Sequence, residues 1–169
     1  QSANRAAFAA ADTLADDDIL ARYPRFMNPH RRPEQAIGRL ALTLMTDPRI
    51  LDVVIALVVP VYGAQSMLSF QPPRARGQAL HQDNMYLLVQ PGTCIAAWTA
   101  IDRADRENGC MMLVPKTHDA IMLCQEQSDL SVTFSSRVTR IPKGFKAVEV
   151  PMDPGDTLFF NGSAIHGSG

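Results

Sequence analysis

His81 and Asp83 stand two residues apart in Leu80-His81-Gln82-Asp83-Asn84. In an extended segment, residues i and i+2 point to one face, so an imidazole nitrogen and a carboxylate oxygen converge on one point. A third donor lies far downstream in Ile165-His166-Gly167-Ser168, and His118 in Pro115-Lys116-Thr117-His118 competes with it. Two imidazoles and one carboxylate on one face of a metal leave its other positions open, the pattern of non-haem Fe(II) sites. A His-x-Asp pair is short and recurs by chance, and a surface turn or a satisfied histidine gives the same letters. Its weight depends on the elements that must bring positions 81 and 166 together. His30, beside Arg31, Arg32 and Pro33, reads as a loop residue.

A chain of 169 residues is long enough for one domain with a real core. A net charge of -1 argues against broad attraction to nucleic acid or to an anionic membrane. The longest strongly apolar run, Val53 to Val59, is too short to cross a bilayer, and no basic leader with a cleavage site precedes it. Cys94, Cys110 and Cys124 form no close-spaced pair, which predicts reduced thiols and a cytoplasmic setting. Cys94 and Cys110 sit in apolar runs and read as core residues. The chain does not begin with Met and stops at Ser168-Gly169, so it reads as a fragment, or the ordered part, of a longer protein.

The supporting elements come in two blocks. Residues 1–60 read as a helical support region and 61–169 as a β core, within one structural domain. A first helix is expected around Asp16-Asp17-Asp18, with breaks at Tyr23-Pro24 and Asn28-Pro29. Pro33 opens a clearer helix, because Ala36, Ile37, Leu40, Ala41, Leu44 and Met45 recur at the 3.6-residue period. Asp47 caps the next helix and Pro48 fits its first position. That helix is apolar on most sides and is expected to be deeply packed.

Strands follow over Ala64–Phe70 and around His81. Thr93–Ile101 is expected to be buried on both faces, with Cys94, Ala96, Trp98 and Ala100 on one of them. Trp98 reads either as ordinary core or as a cavity wall. Further strands are expected over Cys110–Val114, Val148–Pro151 and Thr157–Phe160, separated by turns at Glu107-Asn108-Gly109, Pro154-Gly155-Asp156 and Asn161-Gly162. Residues 119–146 read as a lid-like excursion. Arg74 and Arg76, just before His81, suit either an anionic substrate or a solvated loop. Many short strands after two helices predict a mainly β fold with flanking helices, a rolled antiparallel sheet whose mouth can gather positions 81 and 166.

Taken in order, these residues resemble the phytanoyl-CoA dioxygenase family of Fe(II)- and 2-oxoglutarate-dependent oxygenases. The resemblance runs through Ile37-Gly38, Asp47-Pro48, Gln65-Ser66-Met67, His81-Gln82-Asp83, Trp98, Glu107-Asn108-Gly109-Cys110, Pro115 to His118, Gly155-Asp156 and His166-Gly167-Ser168. It implies a double-stranded β-helix (a cupin-like jelly roll), incomplete at its C-terminal end. It implies that His81, Asp83 and His166 bind Fe(II), and that Met67, Gln82, Trp98 and Ser168 surround the co-substrate 2-oxoglutarate, with O2 as oxidant. His118 falls in a family segment that supplies no ligand.

The implied activity is hydroxylation of an unactivated C–H bond in a small organic or lipid-like substrate, anionic or acyl-CoA-like molecules included. The carboxylate of Asp83 favours hydroxylation over halogenation, because related halogenases carry a small residue there. A family arginine beyond the distal histidine, which pairs the far carboxylate of 2-oxoglutarate, has no counterpart before the chain stops at Gly169, and Arg25 is a loose counterpart of a family lysine. A cupin-like metal dioxygenase that uses no 2-oxo acid, and a non-catalytic binding domain, are the alternatives on the same fold. Fold fixes chemistry class, not substrate.

Overall fold

The computed structural model describes residues 25–71 and 75–169. The expected helix at Asp16-Asp17-Asp18, the break at Tyr23-Pro24 and Arg74 lie outside the described residues. The chain divides into two compact units, Gln1–Ala75 and Arg76–Gly169.

In the first unit β1 (Arg25–Met27) pairs antiparallel with β2 (Met67–Ser69), Phe26 opposite Leu68. A 3-10 turn over Pro29–Arg31 leads to α1 (Ala36–Met45) and α2 (Pro48–Leu57). Asp47 caps α2 as expected: the Arg49 N–H donates to its Oδ1 at 2.9 Å. Gly38 lets α1 lie directly on the carbonyls of Arg32 and Pro29, where a Cβ has no room. His30 sits in the 3-10 turn with Nδ1 2.6 Å from Ser66 Oγ, a tie to the segment before β2.

The expectation of a deeply packed α2 fails. None of its residues is buried, and Val53, Ile55 and Leu57 are exposed. Its principal described neighbour is α1, and one helix covers only a stripe of a surface that is apolar most of the way round.

The second unit is mainly β. β3 (Ile95–Thr99) pairs antiparallel with β8 (Thr157–Asn161), Ala96 opposite Phe160 and Trp98 opposite Leu158. β4 (Met111–Leu113) lies between β7 (Val148–Val150) and β9 (His166–Ser168). β5 (Gln125–Gln127) pairs with β6 (Arg137–Thr139), so the expected excursion over 119–146 contains a strand pair. Backbone bonds join these pieces across the segment that carries His81. His81 and His166 exchange both N–H···O bonds, at 2.8 and 3.0 Å, and Thr139 N–H donates to Leu80 O at 2.7 Å.

The core is Met111, Phe160 and Ala164, packed by Ala96, Trp98, Leu113, Val150 and Leu158. Burial of β3 on both faces, as expected from its sequence, is not found. Ala96 and Trp98 face the core, whereas Ala97 and Thr99 on the other face are exposed. The described strands form small separate ladders and no closed barrel.

Candidate metal centre

Residue 81 is fixed by its two-bond bridge to β9, which places the two imidazoles side by side, ring centroids 4.2 Å apart. Gly167 makes this approach possible: a Cβ there would stand 2.6 Å from the Gln78 carbonyl oxygen. Asp83 arrives differently from the expected extended segment. Its backbone is helical, φ -59° and ψ -35°, and it is the residue from which α3 (Asn84–Leu87) starts. A turn, rather than strand alternation, brings its carboxylate back under His81. The result is His81 Nε2 at 3.5 Å and His166 Nε2 at 3.7 Å from Asp83 Oδ1. One ligand atom from each of the three lies within 4.8 Å of the others.

Both rings are oriented by their far nitrogens. His81 Nδ1 is 2.9 Å from the Ala79 carbonyl oxygen and His166 Nδ1 is 2.9 Å from that of Ala164. A carbonyl only accepts, so each Nδ1 carries the proton and each Nε2 presents its lone pair to the centre. Burial, reinforced by the neighbouring His81, lowers the pKa of His166 to about 4, so its imidazole is neutral at pH 7. Burial by itself pushes the Asp83 carboxyl up. The contacts with His81 and His166 pull the other way and hold the carboxyl below its ordinary value. Two inward-facing imidazole lone pairs and a carboxylate are convergent donors. They fit a divalent metal of the iron group and leave open positions.

The other candidates divide. Gln82 is completely buried, and its side chain is spent on backbone. It donates to Ser163 O at 2.8 Å and Ile121 O at 3.2 Å and accepts from Leu123 N–H at 2.9 Å. Trp98 packs on the core. Ser168 Oγ accepts from Gln78 N–H at 3.0 Å. Met67 lies in β2 of the first unit. His118 is exposed and joins no cluster with the triad, while its neighbour Thr117 is buried, donating to Val114 O and accepting from Ile165 N–H. Arg76 donates to Leu130 O.

Sequence reasoning missed three neighbours of the centre. Gln78 Nε2 is 3.1 Å from His81 Nε2, so its amide donates to the lone pair a metal would take. The Phe160 ring lies 4.4 Å from that of His166, and the Tyr86 ring meets His81 edge-on at 6.0 Å. Tyr86 had a signal, since it follows Asp83 by three residues and so shares its helical face.

A mainly β unit with two oriented imidazoles and a carboxylate turned on one point is a scaffold able to hold a single metal ion. The chain belongs to the phytanoyl-CoA dioxygenase family: the family model described as Phytanoyl-CoA dioxygenase (PhyH) matches residues 3–169. It is 32% identical over 168 residues to a Probable phytanoyl-CoA dioxygenase of Caenorhabditis elegans, covering 92% of this chain and 47% of that protein. It is 33% identical over 134 residues to the peroxisomal Phytanoyl-CoA dioxygenase of Bos taurus, covering 73% of this chain and 40% of that one. The chain thus spans less than half the length of these two relatives.

Among solved structures, it is similar in fold to EvdO2 from Micromonospora carbonacea var. aurantiaca, with TM-score 0.60 and 20% identity over 86% of this chain and 60% of that one. EvdO2 has also been solved complexed with 2-oxoglutarate. The epimerase SnoN, solved with Fe3+, alpha ketoglutarate and nogalamycin RO, matches at TM-score 0.60 and 19% identity over 88% of this chain and 57% of that one. In the described residues no helix is long and apolar enough to cross a membrane.

Proposed function

We propose that this chain carries the metal-binding part of an Fe(II)- and 2-oxoglutarate-dependent dioxygenase that hydroxylates an unactivated C–H bond of a small organic or lipid-like molecule. The observation that carries the reading is the convergence of His81, Asp83 and His166, with both Nε2 lone pairs directed inward by Nδ1–H···O=C bonds. Family membership supports the reaction class, and the double-stranded β-helix, with residues 1–60 as helical support and 61–169 as core, is what the resemblance implies.

His81, Asp83 and His166 hold the iron in this reading. With 2-oxoglutarate, iron supplies the activation of O2 that C–H cleavage needs. The chain's own part is to hold three convergent donors and exclude water from two of them. Asp83, by filling a ligand position with a carboxylate, favours hydroxylation over halogenation. The placing of Met67, Gln82, Trp98 and Ser168 around the co-substrate rests on the resemblance alone. Gln82 serves the centre through backbone bonds. Three free cysteines support a reducing, cytoplasmic compartment.

The test is an anaerobic titration of the full-length protein with Fe(II) and 2-oxoglutarate, watching for the visible charge-transfer band of a chelated 2-oxo acid. The band is expected in the wild-type protein and absent in His81→Ala. Iron binding without a band, and without 2-oxoglutarate binding, would sink the co-substrate assignment and favour a metal dioxygenase that uses no 2-oxo acid.

A further inference from the structure

One side chain beside the triad is aimed at a ligand atom. Gln78 Nε2 lies 3.1 Å from His81 Nε2, and because that ring nitrogen presents a lone pair, the amide is the donor. Among the described residues the Gln78 carboxamide makes no other hydrogen bond. Gln82 is the contrast: its carboxamide is spent on the backbone of Ser163, Ile121 and Leu123, as a structural glutamine's is.

The backbone that carries Gln78 is fixed on both sides. The Gly77 carbonyl accepts from Thr133 Oγ1 at 2.7 Å and from the Phe134 N–H at 3.0 Å. The Gln78 N–H donates to Ser168 Oγ at 3.0 Å, and the Gln78 carbonyl accepts from the Ser168 N–H at 3.0 Å. Leu80 and His81 are held in turn by Thr139 and His166. The freedom of the amide is confined to its side-chain torsions.

We propose that Gln78 is a co-substrate-binding residue: its carboxamide yields the His81 lone pair to the metal and donates the freed N–H to a carboxylate oxygen of the 2-oxo acid. This inference rests on reading the triad as the metal centre of a 2-oxo-acid-dependent enzyme.

A lone pair serves one partner. A metal on His81 Nε2 takes the acceptor away from the Gln78 N–H, and a half-buried donor left unpaired is costly, so the amide turns to another acceptor within reach. The NH2 group only donates, which selects an oxygen with free lone pairs. A carboxylate offers them in a charge-assisted bond, about twice as strong as a neutral one. Water held by a cation turns its hydrogens outward and suits this donor poorly. Because its backbone is already pinned, Gln78 loses only side-chain freedom in making the bond.

The test uses the full-length protein. Mn(II) affinity is read from the EPR signal of the free ion, and 2-oxoglutarate affinity by calorimetry on Mn(II)-loaded protein at equal occupancy. Gln78→Met keeps the length of the side chain and removes the donor. It is expected to bind Mn(II) at least as tightly as the wild type, because the competing amide is gone. It is expected to bind 2-oxoglutarate about tenfold more weakly, the loss of about 1.4 kcal/mol. A merely structural glutamine would lower both affinities or neither. Gln78→Glu puts a carboxylate beside His81 Nε2 and is expected to tighten Mn(II) while weakening 2-oxoglutarate. Unchanged 2-oxoglutarate affinity in Gln78→Met, the result if the freed N–H turns to Asp83 instead, overturns the inference. So does a loss of Mn(II) affinity in that variant, or an unchanged Mn(II) affinity in Gln78→Glu, and in each case the metal reading stands. A wild-type protein that takes up no Mn(II) overturns the metal reading, and one that takes up Mn(II) but no 2-oxoglutarate overturns the co-substrate reading; the inference falls with either.

Discussion

His166 shows how burial prepares a ligand. With its folded pKa lowered to about 4 from 6.5, the folded protein keeps the ring neutral while the unfolded chain takes up a proton below its ordinary value. The stability this group contributes is therefore full above about pH 6.5 and is lost as pH falls toward 4, by up to about 1.4 kcal/mol per pH unit. Asp83, also held low, loses its contribution further down, as pH falls below the ordinary carboxylate range. Urea denaturation of the metal-free protein at steps between pH 7 and pH 4 should show this loss, and His166→Asn should flatten it. Gln82 makes a separate prediction. Gln82→Leu keeps the bulk but strips partners from buried backbone groups, at a cost of about 1–3 kcal/mol. Its denaturation midpoint should drop, and Mn(II) should bind more weakly because the His81–Asp83 turn loses its ties to Ser163 and to residues 121 and 123. Unchanged Mn(II) affinity in a folded Gln82→Leu would remove Gln82 from any positioning role.

At the scale of elements, the centre depends on how closely β9 approaches the segment carrying His81. The groups facing a Cβ at position 167 are the Gln78 carbonyl at 2.6 Å and the backbone of Leu80 and Ala79 at 3.1 and 3.2 Å. Backbone cannot swing aside, so Gly167→Ala must spread the ladder and part the imidazoles, costing about 1–3 kcal/mol. Gly155→Ala is the contrast. Its φ is +93° but nothing lies within 4 Å of the added carbon, so only backbone strain is incurred. Both variants should be destabilised in thermal denaturation, and Gly167→Ala alone should lose metal affinity; equal losses in the two would refute the ladder argument. The helices were legible because period and capping act locally: α1 follows its apolar stripe and α2 starts at its Asp47 cap. The geometry of residue 83 was not. Alternation predicted an extended pair, whereas the short α3, begun at Asp83, turns the carboxylate inward.

For the whole molecule, a metal that binds the folded triad and not the unfolded chain must stabilise the fold by mass action. Saturating Mn(II), at about a hundredfold above its Kd, should add about 2.7 kcal/mol, and a chelator should remove it. His81→Ala should show neither effect in denaturation with and without metal. The candidate donors, their order along the chain and the family resemblance were legible in the sequence, because donor chemistry and motif order are carried by residue type alone. Residue types alone left His118 and His166 open as the partner of His81, the resemblance pointed to His166, and the tertiary structure supplies the physical reason. Residues 118 and 166 are equivalent as letters, and only the bridge between residue 81 and β9 buries one imidazole beside the centre while the other stays exposed. The tautomers, the depressed pKa of His166 and the commitment of Gln82 to backbone likewise arise from carbonyls and N–H groups that the fold brings up from distant positions. Sequence supplies the donors; long-range backbone pairing decides which of them converge and which way their lone pairs point.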